Sequence, residues 1–190
     1  EVIFHLSANP EARRGLDHTR LDLEQGTIAT YNVLEAARRT GVRRVVFASS
    51  GTVYGEAEGA CGEGDLGSLP ISLYGASKLA GEALVSAFSH CFELSATIVR
   101  FGNVVGPRAT HGAIYDFFRK LADNPGELEV LGDGSQSKPY LHVEDCVSGL
   151  LFATDDTRAG VEVYNLAPDD ATTVRSIAER CVRKIGRAHV

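Results

Sequence analysis

The chain has 190 residues, 44% of them hydrophobic, which is enough for one domain with a sizeable core. A formal charge of −6 and the lack of any basic run or basic–aromatic stripe argue against a nucleic-acid surface, and no apolar stretch approaches the ~20 residues that span a bilayer. The four cysteines (Cys61, Cys91, Cys146, Cys181) are far apart with no C-x-x-C, which argues against a zinc site and a disulfide framework and fits a reducing cytoplasm.

Both ends read as cut. The chain opens "EVIFHLSANP", with no initiator Met and an apolar run from its second residue. The last six residues, "IGRAHV" (185–190), resemble the translation of a sequencing adapter and read as an artefact. The expectation is the middle of a longer protein.

In chain order, Val2–Leu6 is a short apolar run of the kind buried in a parallel sheet. A polar loop precedes a helix expected over Gly26–Arg39, whose polar residues Asn32, Glu35, Arg38 and Arg39 fall on one stripe. Gly41 is its expected stop. A second buried strand spans Val45–Ala48. Glu56–Pro70, rich in glycine and acidic residues, reads as a surface loop. A helix follows from Tyr74 to His90, then a strand over Leu94–Phe101. Ile114–Leu121 shows helical spacing. "ELEVLG" reads as a short strand, Gly132–Tyr140 as a turn-rich loop, "VEDCVSGLLFAT" as a helix and "VEVYNLA" as a strand. Thr172 is positioned to cap a last helix over Thr172–Lys184. Strands alternating with helices imply an α/β fold, a doubly wound parallel sheet covered on both faces.

Tyr74 and Lys78 lie four apart at the start of their helix, so they share a face. A phenol titrates near ~10 and is a poor base at neutral pH, but a nearby cation favours the phenolate. Tuned so, Tyr74 can remove a hydroxyl proton while hydride leaves the same carbon. The alternative is an ordinary surface pair. Ser49, Ser50 and Thr52 follow a buried strand, at the sheet edge where doubly wound folds bind ligands. Ser49 reads as a turn residue capping loop backbone, and Ser50 as a hydroxyl that can bond a substrate oxygen. His5 and His142 read as structural histidines, and no metal constellation is present.

"SSGTVYG", "YGASK", "RFGNVVGP" and "GDGSQSKPYLHVEDC", in this order, resemble the extended short-chain dehydrogenase/reductase family. More narrowly, they resemble NAD-dependent nucleotide-sugar epimerases of the UDP-glucose 4-epimerase type. "HLSANP" and "ATYNVLEAA" fit as well, and the resemblance covers nearly all of residues 1–186. It implies a Rossmann-like fold lacking its N-terminal βαβ part, with residues 1–107 in the NAD-binding domain and 108–184 in an incomplete substrate-binding region interleaved with the last Rossmann elements. It implies Tyr74 as general base and acid, Lys78 as a ribose-binding group that lowers the tyrosine pKa, and Ser50 as the catalytic hydroxyl. Leu6, Ser7, Ala8, Asn9, Ala48, Ser49 and Phe101 would adjoin NAD, together with Tyr74 and Lys78. Ser50, Thr52, Asn103, Leu131, Lys138 and Tyr140 would meet a nucleotide sugar such as a UDP-hexose. Leu6, Phe101 and Leu131 read equally as core, and Asn103 as a loop residue. A homodimer through helices 26–39 and 74–90 is implied, as is a cytoplasmic enzyme.

Three departures stand against the pattern. No glycine-rich dinucleotide turn, and no acidic residue after a second strand, precedes Glu1, so these residues alone are expected to be inactive. Gly26 stands where the family has Asn. Lys138–Pro139 replaces Arg-Asp, leaving a point charge without a bidentate fork. Related 4,6-dehydratases carry Asp-Glu after the hydroxyl residue, where this chain has Gly51 and Thr52. That favours epimerisation over dehydration or decarboxylation; the "GDGSQSKPYLHVED" arm with Lys138 argues against a steroid- or flavonoid-type reductase, and the joint presence of Ser50, Tyr74 and Lys78 against a non-catalytic dinucleotide sensor.

Overall fold

In the computed structural model, which describes residues 1–57, 59–65, 68–154 and 158–185, four apolar runs pair in parallel. They are β1 (Val2–His5), β2 (Arg44–Ser50), β3 (Ser95–Phe101) and β6 (Val161–Leu166), in the spatial order β1-β2-β3-β6. Parallel neighbours need a crossover, and helices supply it. Between β1 and β2 run α1 (Arg14–Asp17), α2 (Arg20–Asp22), a π-helical turn (Leu23–Ile28) and α3 (Ala29–Thr40). The helix expected from Gly26 therefore begins as a wide turn and tightens at Ala29. Gly41 ends it in the left-handed region at φ 74°, as anticipated. Between β2 and β3 run a short 3₁₀ turn (Gly51–Tyr54) and α4 (Leu73–Phe92).

Successive strand residues point to opposite faces. Val45 and Phe47 pack with Leu34 and Ala37 of α3 and with Val85 and Phe88 of α4. Val46 points the other way, against Val99 and Leu150, the latter from α6 (Val143–Thr154). One continuous apolar run thus feeds two cores, as a sheet with helices on both faces requires.

The chain divides into two units, Glu1–Phe101 with Cys146–Leu166, and Gly102–Asp145 with Ala167 onward. In the second, β4 (Asn103–Val105) pairs parallel to β5 (Ser137–His142), and β5 antiparallel to β7 (Ala171–Thr173). Helices α5 (Ala113–Asp123) and α7 (Val174–Ile185) meet through Phe117, Leu121, Ile177, Ala178 and Cys181.

Several expectations change in this unit. "GNVVGP" is not a loop, because Asn103–Val105 finds β5 beside it. The turn-rich arm becomes strand at Ser137, where it pairs with β7. "ELEVLG" forms no strand beyond a single bridge residue at Glu127; Leu128 and Val130 instead pack against the α5–α7 core. The cap of α7 is Thr173 and not Thr172: the helix begins at Val174, and the Thr173 Oγ1 accepts from Ser176 N at 3.1 Å. Residues 186–190 of the adapter-like tail lie outside the described residues; Ile185 ends α7 and packs on its core.

Phe47 is the largest of the fully buried side chains, and deleting it leaves a hole under α3 and α4. Phe47→Ala is expected to lower the unfolding free energy by about 3–5 kcal/mol in urea denaturation.

Candidate active site

The C-terminal ends of β1 and β2, the 3₁₀ turn and the first two turns of α4 carry the polar side chains of interest. Ser72 starts α4 in an extended conformation, its hydroxyl accepting from Gly75 N at 3.0 Å. A side chain at position 75 would place its Cβ 2.8 Å from Thr52 O. Glycine there lets the helix start tuck against the 3₁₀ turn that follows Ser50.

Ser50 ends β2 and caps that turn. Its Oγ accepts from Thr52 N at 3.2 Å and from Thr52 Oγ1 at 3.1 Å. The Ser50 hydroxyl is close enough to the Tyr74 phenol to favour its ionised form. Lys78, 4% exposed, donates from Nζ to Ala48 O at 2.6 Å. Its ammonium lies 5.7 Å from the Tyr74 ring centroid and 5.2 Å from that of Phe47. The three expected catalytic residues are therefore brought together within one unit.

Their electrostatics differ from the expectation in one respect. Burial pushes the Tyr74 phenol above its ordinary value; the Ser50 hydroxyl opposes this and the Asp22 charge reinforces it. Lys78 lies one turn further along the same helix. Its ammonium is directed at the Ala48 carbonyl, and burial pushes its own pKa down to about 8.

The expected cofactor residues divide. Leu6 and Ser7 are exposed at the end of β1, Leu6 at 57%, and Ala8 is half-buried. Ala48 is buried on β2, and Phe101 is half-buried against the Val46–Val99–Leu150 core. Asn9 is 1% exposed and fully occupied: its amide donates to Glu11 O and Asp22 Oδ1, both at 3.0 Å, and its Oδ1 accepts from Glu11 N. Ser49 does not cap a loop; it is buried and donates to Glu82 Oε1. Gly26 packs where a Cβ would lie 2.5 Å from Ser77 Oγ, so its departure from the family's Asn is matched by close contact with α4. His5 is structural, as read: Thr30 Oγ1 gives its proton to Gly26 O, so His5 donates to it from Nε2 at 2.9 Å. His142 accepts from Glu144 N at the start of α6.

In the second unit, Asn103 and Tyr140 are register partners on β4 and β5, and Lys138 is exposed two residues before Tyr140. Leu131 is 63% exposed, so it is not core. The arm before Lys138 is largely exposed but its main chain is anchored: Val174 N donates to Gln136 O, Arg175 N to Gly134 O, and Arg175 Nη2 to Asp133 O.

Sequence reasoning missed Glu82 and Arg100, which form a buried ion pair at 2.7 Å beside this site. The signals were an arginine inside the apolar strand "TIVRF" and a glutamate four residues after Lys78. Among the described residues, no group of three or more His, Cys, Asp or Glu side chains is placed to hold a metal, and no helix is long and apolar enough to cross a membrane.

A strand–turn–helix carrying Ser, Tyr and Lys at the C-terminal edge of a parallel sheet defines a class, and the comparisons agree with it. The sequence matches the NAD dependent epimerase/dehydratase family over residues 1–167, and the chain belongs to that family. It is 30% identical to UDP-glucose 4-epimerase of Mycolicibacterium smegmatis over 98% of this chain and 60% of that protein. It superimposes on a crystal structure of UDP-galactose 4-epimerase with a TM-score of 0.92 at 42% identity, covering 99% of this chain and 63% of the other. It is also similar to MoeE5 in complex with UDP-glucuronic acid and NAD, with a TM-score of 0.90 and 34% identity over 99% and 64% of the two chains. The chain thus spans about three fifths of the length of these proteins.

The depressed Lys78 pKa has a consequence for stability. Below about pH 8 the ammonium is charged in both folded and unfolded chains, and its burial opposes folding. Between about 8 and the ordinary value of 10.5 the unfolded chain keeps a proton that the folded one releases, so stability rises with pH. Lys78→Met is expected to abolish that rise, which is on the order of 2–3 kcal/mol in chemical denaturation across the window.

Proposed function

We propose that the protein, at the full length of its relatives, is a nucleotide-sugar 4-epimerase of the UDP-glucose/UDP-galactose type. The observation that carries this is Ser50, Tyr74 and Lys78 gathered at one sheet edge with Gly51 and Thr52, not carboxylates, after the serine. The relatives' names and the family support the same reaction class.

NAD fits the residues present: Lys78 and Tyr74 share a helix face, and Leu6 and Ser7 stand exposed at the end of a parallel strand, where open α/β sheets take ligands. Bound there, NAD supplies a hydride acceptor, and then donor, for the sugar C4. Lys78 would hold its ribose, with Leu6, Ser7, Ala8, Ala48 and Phe101 lining the site. Tyr74 removes the O4 proton, and Ser50 bonds the same oxygen and relays the proton. Burial alone holds the Tyr74 proton tightly and makes the phenol a weaker acid, so a positive nicotinamide bound beside it would be needed to favour the phenolate that takes the O4 proton. The keto sugar turns over in the site and is reduced on its other face. Thr52, Asn103, Leu131, Lys138 and Tyr140 are the proposed contacts to the sugar nucleotide. Lys138 meets the diphosphate as a point charge.

Elimination of water, as in a 4,6-dehydratase, is the second reading. Gly51 and Thr52 offer it no acid. A homodimer through α3 and α4 accompanies the proposal, and the exposed Ile28, Tyr31 and Phe92 support it.

The full-length protein incubated with UDP-galactose and no added reductant is expected to form UDP-glucose, with no net change in cofactor, when the sugars are resolved by chromatography. A UDP-galactose peak unchanged in NAD-loaded protein would send the assignment to another sugar nucleotide or reaction. Tyr74→Phe is expected to lower turnover at least about a hundredfold while dinucleotide still binds. Retained activity would remove Tyr74 from the mechanism.

A further inference from the structure

Beside the proposed site lies a polar cluster, buried at Arg100, Glu82, Ser49 and Tyr54 and exposed at Glu63, that the reaction itself does not use. Arg100 on β3, 3% exposed, donates from Nε and Nη2 to the two carboxylate oxygens of Glu82 at 2.9 and 2.7 Å. Glu82 Oε1 also accepts from Ser49. The remaining fork of Arg100, Nη1, donates to the Tyr54 hydroxyl and to the Glu63 main-chain oxygen, both at 2.8 Å. Tyr54 in turn donates to Asn165 Oδ1 at 2.6 Å. Asn165 on β6 donates from Nδ2 to Cys61 O at 2.8 Å and from its main-chain N–H to Glu63 Oε1 at 2.9 Å.

The positions of these groups give the cluster its meaning. Glu82 is one helical turn beyond Lys78 and two beyond Tyr74 on α4. Ser49 precedes Ser50. Cys61 and Glu63 lie in the connection that joins Ser50's turn to Tyr74's helix. That connection is pinched at its ends: Gly55 has φ 65°, and a Cβ there would lie 2.2 Å from Leu69 O. Both chain routes between Ser50 and Tyr74, through the loop and through the core, therefore meet at Arg100.

A buried ion pair is a poor device for stability, because desolvation offsets the attraction and apolar replacements of similar volume often do as well. Its use here is geometric. We propose, building on the epimerase reading, that Arg100 is a positioning residue which, through Glu82 and the Cys61–Glu63 loop, fixes the spacing of Ser50, Tyr74 and Lys78. It acts through those residues and not on the reacting atoms. A displacement near 1 Å of such groups is enough to cost about a hundredfold in rate.

The test uses the full-length NAD-loaded protein and three variants: Glu82→Leu/Arg100→Met, Arg100→Lys and Asn165→Ala. The paired variant removes the buried charges together and is expected to keep cooperative thermal unfolding. Its kcat for UDP-galactose is expected to fall about tenfold to a hundredfold, with KM within about threefold. Arg100→Lys keeps the charge, loses the fork and is expected to fall in the same direction. If the pair serves stability alone, the folded paired variant keeps kcat within about twofold, and the proposal is overturned. Should the paired variant not fold, the same criterion applies to the two single variants. Cleavage after Glu63 by a glutamate-specific protease gives a readout independent of activity. It is expected to be at least about tenfold faster in every folded variant, and an unchanged rate overturns the proposal. A parent protein that does not turn over UDP-galactose counts against the epimerase reading, and the cleavage rates then decide this one alone.

Discussion

An ammonium carried into the core of a sheet-and-helix layer must be compensated where it ends up, and Lys78 finds its compensation in the Ala48 carbonyl at 2.6 Å. The rings of Phe47 and Tyr74, at 5.2 and 5.7 Å, complete its surroundings. An isolated buried cation would cost several kcal/mol, so this contact fixes how α4 lies on β2. Tyr74 sits one turn earlier on the same helix, and Ser50 two residues after Ala48 on the same strand. Placing one nitrogen thus places both hydroxyl groups.

The surrounding structure maintains that placement from two sides. Gly75 lets the start of α4 close on the 3₁₀ turn, and Gly26 lets the preceding helical turn close on Ser77. The fork between Arg100 and Glu82 holds the next turn of α4 to β3. The burial that comes with this arrangement raises the Tyr74 pKa and lowers that of Lys78. The protein alone therefore favours a protonated phenol, a weak proton donor, beside an ammonium that gives up its proton more readily than an exposed lysine.

Much of this was legible in the sequence. The apolar runs at Val45–Ala48 and Leu94–Phe101 announced buried parallel strands, and Y-x-x-x-K on a helix announced the pair. Elements made by long-range pairing were not legible. Asn103–Val105 becomes a strand because Tyr140–His142 lies beside it, and Ser137–Pro139 because it pairs with Ala171–Thr173. Leu128 and Val130 alternate like a strand yet serve the α5–α7 core without a ladder. Asn9 and Ser49 sit where ligand contacts were expected, but buried partners in Asp22 and Glu82 claim them. Those partners are distant in sequence, so no local pattern reveals the competition.

In the proposed epimerisation, hydride leaves and returns to one carbon while Tyr74 moves the O4 proton. The most direct measurement follows a deuterium placed at C4 of UDP-galactose through turnover by the full-length protein, with nuclear magnetic resonance of the recovered sugars. UDP-glucose that keeps its deuterium at C4, in protein with no net cofactor change, is the predicted result. Deuterium lost to solvent, or found at C6 of a deoxy product, would contradict the account and move the reaction from epimerisation to exchange or elimination.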